Sequence, residues 1–245
     1  MELYPAIDLR DGKCVRLLQG DYERETIYDD DPVAVARRFA AEGARWIHVV
    51  DLDAARSGGD RNLGVIEAIC AAVPECRVQT GGGVRSIEAA GDRLACGVAR
   101  VVVGSAAVSD PALVTDVSIM HPGAVAIGLD VRGREIAVHG WTEGTGIDLF
   151  ELVAHFGASG ASALVVTQIA VDGMLTGPDV ELYRELLGAT SLPIIASGGV
   201  GSIDDLHALG GLRSADGRQL AGAIAGKAIY EERFSVRDGV AACQR

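Results

Sequence analysis

A-I-D-L-R at Ala6 to Arg10 returns as G-L-D-V-R at Gly128 to Arg132. G-G-G-V at Gly81 to Val84 returns as S-G-G-V at Ser197 to Val200, and V-G-S-A at Val103 to Ala106 returns as A-G-K-A at Ala225 to Ala228. The three pairs keep their order and nearly their spacing: Asp8 to Asp130 is 122 residues, Gly82 to Gly198 is 116 and Gly104 to Gly226 is 122. One short match could be chance, whereas three in register mark a duplicated half-unit. What is duplicated is an acidic strand end and a pair of glycine-rich strand ends.

Between these landmarks, eight short apolar runs read as strands: Leu3–Ile7, Trp46–Leu52, Arg77–Thr80, Arg100–Val103, Val125–Leu129, Ala163–Val166, Pro193–Ala196 and Gly222–Ala225. They are continuous rather than alternating, as parallel strands covered by helices on the outside should be. Helical patterns separate them. After Asp148, Leu149, Leu152, Val153 and Phe156 fall on one face. Asp31-Pro32 is a cap followed by a first-turn proline, with Val33, Ala36, Phe39, Ala40 and Gly43 expected inward. A-E-G-A at Ala41 to Ala44 and A-S-G-A at Ala158 to Ala161 close the two helices alike. Eight strands alternating with helices exceed the usual count of an open doubly wound sheet. The expectation is a single (β/α)8 TIM barrel over residues 1–245, built from two half-barrels.

Composition narrows the function classes. With 22 basic and 34 acidic residues the net charge is −12, unsuited to a nucleic-acid partner, whose phosphates need clustered Lys and Arg. No apolar run approaches a membrane span and the start M-E-L-Y-P-A-I-D lacks signal-peptide regions, so a soluble cytoplasmic protein is expected. Five cysteines, with no C-x-x-C, read as reduced, mostly buried thiols, and five scattered histidines give no metal-ligand spacing. Metal-free chemistry is expected.

In a barrel, residues at the carboxyl ends of the strands converge on one mouth. Those are Asp8, Asp51–Asp53, Gly81–Gly83, Gly104–Ser105, Asp130, Thr167–Gln168 with Asp172 beyond, Ser197–Gly199 and Gly226–Lys227. Glycine turns leading into helices let backbone N–H groups point at an anion. Gly198, Gly199, Gly226 and Lys227 fit one phosphate site, and Gly82, Gly83, Gly104 and Ser105 fit its duplicate across the mouth. A substrate with a phosphate at each end follows; the plainer reading is that the glycines only make tight turns. Asp8 and Asp130, on opposite strands, suit an acid and a base acting on a bound sugar, as in an isomerase. The plainer reading there is a rim aspartate paired with Arg10, Arg16 or Arg132.

Six stretches together carry a resemblance over essentially the whole chain: Pro5–Tyr22, His48–Ala55, Gly128–Gly133, Gly140–Thr142, Asp172–Asp179 and Ala196–Val200. The chain resembles the ProFAR isomerases of histidine biosynthesis. The resemblance implies an Amadori rearrangement of an N-linked phosphoribosylamine to the phosphoribulosyl isomer, on a small-molecule substrate with two phosphates, with no cofactor and no obligatory protein partner. Residue by residue, it implies Asp8 as the base at C2, Asp130 as proton donor and Asp172 as rival ring-opening acid. Asp172 read without the resemblance is a turn cap before glycine. Thr167 would bond the reacting sugar, Arg16 would hold substrate, and Trp141 would stack on the imidazole carboxamide. Loops 1 and 5 are the expected lids.

One position departs from the family pattern: Gln168 stands where relatives usually carry an acid, so no acid role belongs there. A bifunctional subfamily, which also isomerises phosphoribosylanthranilate, reads R-G-W where this chain has His139-Gly140-Trp141, and lacks the loop seen here at Gln19 to Tyr22. A single substrate is therefore favoured. The cyclase sister family is disfavoured by the first loop and by G-W-T. A non-catalytic phosphosugar binder is a reading of a different class, and the presence of both aspartates tells against it.

Overall fold

The computed structural model describes residues 1–18 and 20–244. Among the described residues there are twelve strands: β1 Glu2–Arg10, β2 Lys13–Leu18, β3 Asp21–Asp29, β4 Trp46–Asp51, β5 Arg77–Gly81, β6 Arg100–Val103, β7 Val125–Arg132, β8 Glu135–Val138, β9 Glu143–Asp148, β10 Ala163–Gln168, β11 Ile194–Ser197 and β12 Gly222–Ala225. Eight of them run parallel in the order β1-β4-β5-β6-β7-β10-β11-β12. The ring closes through the pairing of β12 with β1. This is a (β/α)8 TIM barrel, and all eight strands read from the sequence are in it. β1 and β7 lie four positions apart in the ring of eight, and so face each other across it.

The core has two parts. The main one lies between strands and helices, with Ile7, Leu9, Ile47, Val49, Ile127 and Leu129 fully buried against helical residues such as Phe39, Ile66, Leu186 and Leu206. The second, inside the ring, is small: Tyr4, Ala6, Val102, Ala126, Ala163, Val165, Ile195 and Ile224. Alternate residues of each parallel strand thus enter one core or the other, which is why the strands are apolar throughout.

The expected caps hold. Asp31 accepts from Ala34 N at 2.9 Å with Pro32 at the start of helix Pro32–Ala41, and Asp148 accepts from Phe150 N at 2.8 Å ahead of helix Leu149–His155. Leu149, Leu152, Val153 and Phe156 are all buried. The inward face of the first helix needs correction. Val35 is fully buried, Val33 and Ala40 sit on its flank, and Gly43 is exposed at φ +98°, ending the helix. All five cysteines are free, with only Cys14 and Cys243 buried.

The four strands missed by the sequence reading form two hairpins. β1 continues past the barrel rim and pairs antiparallel with β2, which pairs with β3; β7 does the same with β8 and β9. Asp8 and Asp130 therefore do not end their strands. Each lies inside an extended strand, opposite Val15 and Ala137 respectively. β3 (D-Y-E-R-E-T-I-Y-D) and β9 (E-G-T-G-I-D) are polar and exposed or half-buried throughout, while the apolar pieces of β2 (K-C-V-R-L-L) and β8 (E-I-A-V) are only two or three residues long, too short to read as strands alone.

Candidate active site

Within this ring, at the carboxyl ends of the strands, lies a cavity of about 990 Å³. All fifteen residues expected at the site line it: Asp8, Arg16, Gly82, Gly83, Gly104, Ser105, Asp130, Trp141, Thr167, Asp172, Ser197, Gly198, Gly199, Gly226 and Lys227. The two hairpins wall its mouth. They meet where Trp141, held at φ +75°, packs over Gly20; a Cβ on Gly20 would lie 3.1 Å from the indole. Gln19, named with this loop in the sequence reading, lies outside the described residues.

Asp8 and Asp130 face the cavity from opposite strands, with different neighbours. Arg16, on β2, donates from Nη1 to Asp8 Oδ2 at 3.1 Å and from Nη2 to Asp172 Oδ2, bridging the two carboxylates. Burial pushes the Asp8 carboxyl above the usual range; Arg16 opposes this, and Asp172 reinforces it by like-charge repulsion. Asp130 has no cation partner among the described residues. Burial raises its carboxyl too, the Trp141 and Thr167 side chains oppose that as hydrogen-bond donors, and Asp172 adds repulsion. Thr167 is beside Asp130 because β10 pairs with β7 at those two residues. Asp172 is no simple turn cap, since its carboxylate is committed to Arg16.

The glycine pairs serve two purposes. A Cβ on Gly82 would lie 2.1 Å from Asp51 O, and one on the equivalent Gly198 would lie 2.8 Å from Gln168 O. Here the absence of a side chain lets neighbouring βα turns pack. Gly104 and Gly226, by contrast, begin helices facing the cavity, and nothing lies within 4 Å of a Cβ placed on Gly104. Lys227 Nζ donates to Gly173 O at 3.0 Å beside Gly226.

Three residues expected at the mouth do not line the cavity. Asp51 is buried, caps Ala54 N at 3.0 Å and accepts from Asn62 Nδ2 at 2.7 Å. Asp53 accepts from Asp11 N at 2.7 Å and Asn62 Oδ1 from Gly12 N at 3.1 Å, so this cluster holds the tip of the first hairpin. Gln168 does the same for the second hairpin. Its Oε1 accepts from Gly133 N at 3.1 Å, while its Nε2 donates to Gly133 O at 3.2 Å and to Asp179 Oδ2 at 3.1 Å. The departure at position 168 is thus an anchor, turned away from the chemistry. Sequence reasoning in turn missed Arg85 and His48 as cavity residues. Arg85 sits just past the glycine run at Gly82–Gly83, a signal that could have been followed. Among the described residues no cluster of His, Cys, Asp or Glu could hold a metal ion.

Residues 2–235 match the family described as "Histidine biosynthesis protein". The chain belongs to that family. Several curated proteins similar to this chain bear the name 1-(5-phosphoribosyl)-5-((5-phosphoribosylamino)methylideneamino)imidazole-4-carboxamide isomerase. That of Methylobacterium nodulans is 44% identical over 99% of this chain and 94% of its own length. That of Rhodopseudomonas palustris strain BisB18 is 45% identical over 100% and 98%. That of Bacillus licheniformis is 46% identical over 97% and 96%. No helix among the described residues is long and apolar enough to cross a membrane.

Proposed function

We propose that this family member is an aldose–ketose isomerase that converts the phosphoribosylamino compound named for its relatives into its phosphoribulosyl isomer. The observation that carries the reading is the pair Asp8 and Asp130, facing each other across one cavity between two duplicated glycine ends. The substrate spans the mouth with a phosphate near Gly82, Gly83, Gly104 and Ser105 and the other near Ser197, Gly198, Gly199, Gly226 and Lys227.

Asp130 gives a proton to the ribose ring oxygen as the C1–O bond breaks, and the amine lone pair forms the C1=N Schiff base. Asp8 then takes the proton from C2, and the electrons move through C1 to nitrogen, giving an enolamine. Loss of the O2 proton and protonation at C1 complete the 2-keto product. The division of labour follows from the neighbours. Asp8, bound to Arg16, is held as a carboxylate, while a buried carboxyl raised by desolvation makes it a stronger base. Asp130, with only neutral donors around it, suits the proton-bearing role better than Asp172, whose carboxylate is engaged by Arg16. Trp141 stacks on the imidazole carboxamide, and the two hairpins exclude water from the enolamine.

Steady-state turnover with this substrate, and separately with phosphoribosylanthranilate, in the presence of a chelator tests the reading. Turnover of the first alone is expected, since His139 rather than an arginine stands at the rim of the cavity. Turnover of neither overturns the proposal.

A further inference from the structure

The floor of the cavity is apolar at Ala6, Val102, Gly128, Val165 and Ile224, and polar at His48. His48 lies on β4, in register with Ala6 of β1 on one side and Gln79 of β5 on the other, two residues below the level of Asp8. Beneath it a buried polar chain crosses the barrel. Arg100, on β6, lies over the Trp46 ring at 4.3 Å and the Tyr4 ring at 5.7 Å and donates to Tyr4 Oη at 3.0 Å. Its Nε, at 3.0 Å, and its Nη2 both donate to Gln79 Oε1. Gln79 Nε2 lies 2.8 Å from His48 Nδ1.

This chain has one consistent direction. A guanidinium has donors only, so the amide oxygen of Gln79 must face Arg100, and two donors on it fix the amide plane. The amide NH2 therefore faces His48. Since an NH2 donates, Nδ1 accepts and carries no proton, which leaves the imidazole proton on Nε2. Burial, and after it the Arg100 charge, push the imidazole down to about 4, so the ring stays neutral in neutral solution. Nε2, on the opposite edge of a ring that lines the cavity, makes no hydrogen bond among the described residues.

We propose that His48 is a substrate-positioning residue, a neutral imidazole whose tautomer is set by the Arg100–Gln79 relay and whose Nε2–H donates to a hydroxyl oxygen of the reacting pentose beside the carbon that faces Asp8. The inference rests on the isomerase reading for its ligand, though not for its tautomer. A neutral donor suits this place. Arg16 already supplies the one cation that holds Asp8 as a carboxylate; a second would lower its basicity further, and the relay keeps the charge of Arg100 below the floor while transmitting its orientation. A hydroxyl, rather than a phosphate, fits a single uncharged donor midway between the two glycine ends.

Two measurements test this. Nitrogen NMR of the ligand-free protein labelled in histidine, with His48 assigned by comparison with His48→Gln, is expected to show the proton on Nε2. Gln79→Glu, which replaces the NH2 with an acceptor, is expected to move a proton to Nδ1. A native Nδ1–H tautomer overturns the relay whatever the enzyme does. In kinetics, His48→Leu is expected to lower kcat/KM about tenfold to a hundredfold. Gln79→Glu should do the same, while His48→Gln, whose amide N–H reaches the Nε2 position, should stay within about fivefold of the native enzyme. Equal loss in His48→Leu and His48→Gln, or no loss in His48→Leu, overturns the positioning role. If the native protein shows no turnover, the isomerase reading and the ligand assigned to His48 fall together, and the tautomer result stands on its own.

Discussion

Asp8 and Asp130 occupy equivalent places in two duplicated halves, yet Arg16 has no counterpart beside Asp130. The matching position of the second hairpin, 122 residues on, is Val138, and the position matching Asp172 in the first half, 117 residues back, is Ala55. A cation added on one side only turns two like carboxyls into a base and an acid. Three substitutions test that at this scale. Asp8→Asn is expected to cut kcat by roughly 10²–10⁴-fold, the range of a lost general base, while still binding substrate, as measured by calorimetry. Asp130→Asn should abolish turnover in a steady-state assay, whereas Asp172→Asn keeps a substantial fraction; the reverse order would exchange their roles. Both aspartates were legible in the sequence because the repeat singled them out. The bridge from Arg16 to Asp172 was not, since its partners are 156 residues apart and meet only when the ring closes.

Among elements, the two hairpins are what turn a barrel mouth into a chamber, and each is pinned at its tip by a buried amide, Asn62 for the first and Gln168 for the second. Removing Asn62 leaves Asp51 buried without a side-chain donor, so Asn62→Ala should destabilise the fold by about 1–3 kcal/mol in denaturant unfolding. The glycine ends split by role. Gly82→Ala would force a Cβ within 2.1 Å of Asp51 O at φ +96° and is expected to cost about 3 kcal/mol or more, or to prevent folding. Gly104→Ala meets nothing within 4 Å, and although its ψ of −115° adds some backbone strain, it should cost far less stability than Gly82→Ala while raising KM about tenfold, because its methyl occupies the place of a phosphate oxygen. Loss of stability in both variants, with KM intact, would reduce Gly104 to a turn residue. The turns were legible as glycine runs, but which glycine serves packing and which serves a ligand depends on what lies across the gap.

For the whole molecule, the site is held at a cost in stability that pH should reveal. The Asp130 carboxyl is raised in the folded state, so the native protein binds that proton more tightly than the unfolded chain does. The stabilisation is fully present below the unfolded carboxyl range, about pH 3.9, and is lost as pH rises through the folded value. At pH 7, well above the unfolded range, that stabilisation is diminished and the desolvated carboxyl costs stability, so Asp130→Asn should raise Tm by about 2–4 °C for each ~1 kcal/mol relieved, a gain that shrinks as pH falls toward 4. An equal gain at both pH values in thermal melts would point to packing instead. The amino-acid sequence by itself determined the eight parallel strands, the helix caps, the half-barrel repeat and the residues that gather at the mouth. Those follow from apolar runs, capping side chains and turn glycines, all of which act within a few residues along the chain. Only the tertiary structure decided that these short or polar segments become rim strands, because the extensions of β1 and β7 offer β2 and β8 unpaired backbone edges, on which β3 and β9 then build. It alone decided the Arg16 bridge and the relay from Arg100 to His48, since charges and hydrogen bonds act across space between strands that meet only in the closed ring.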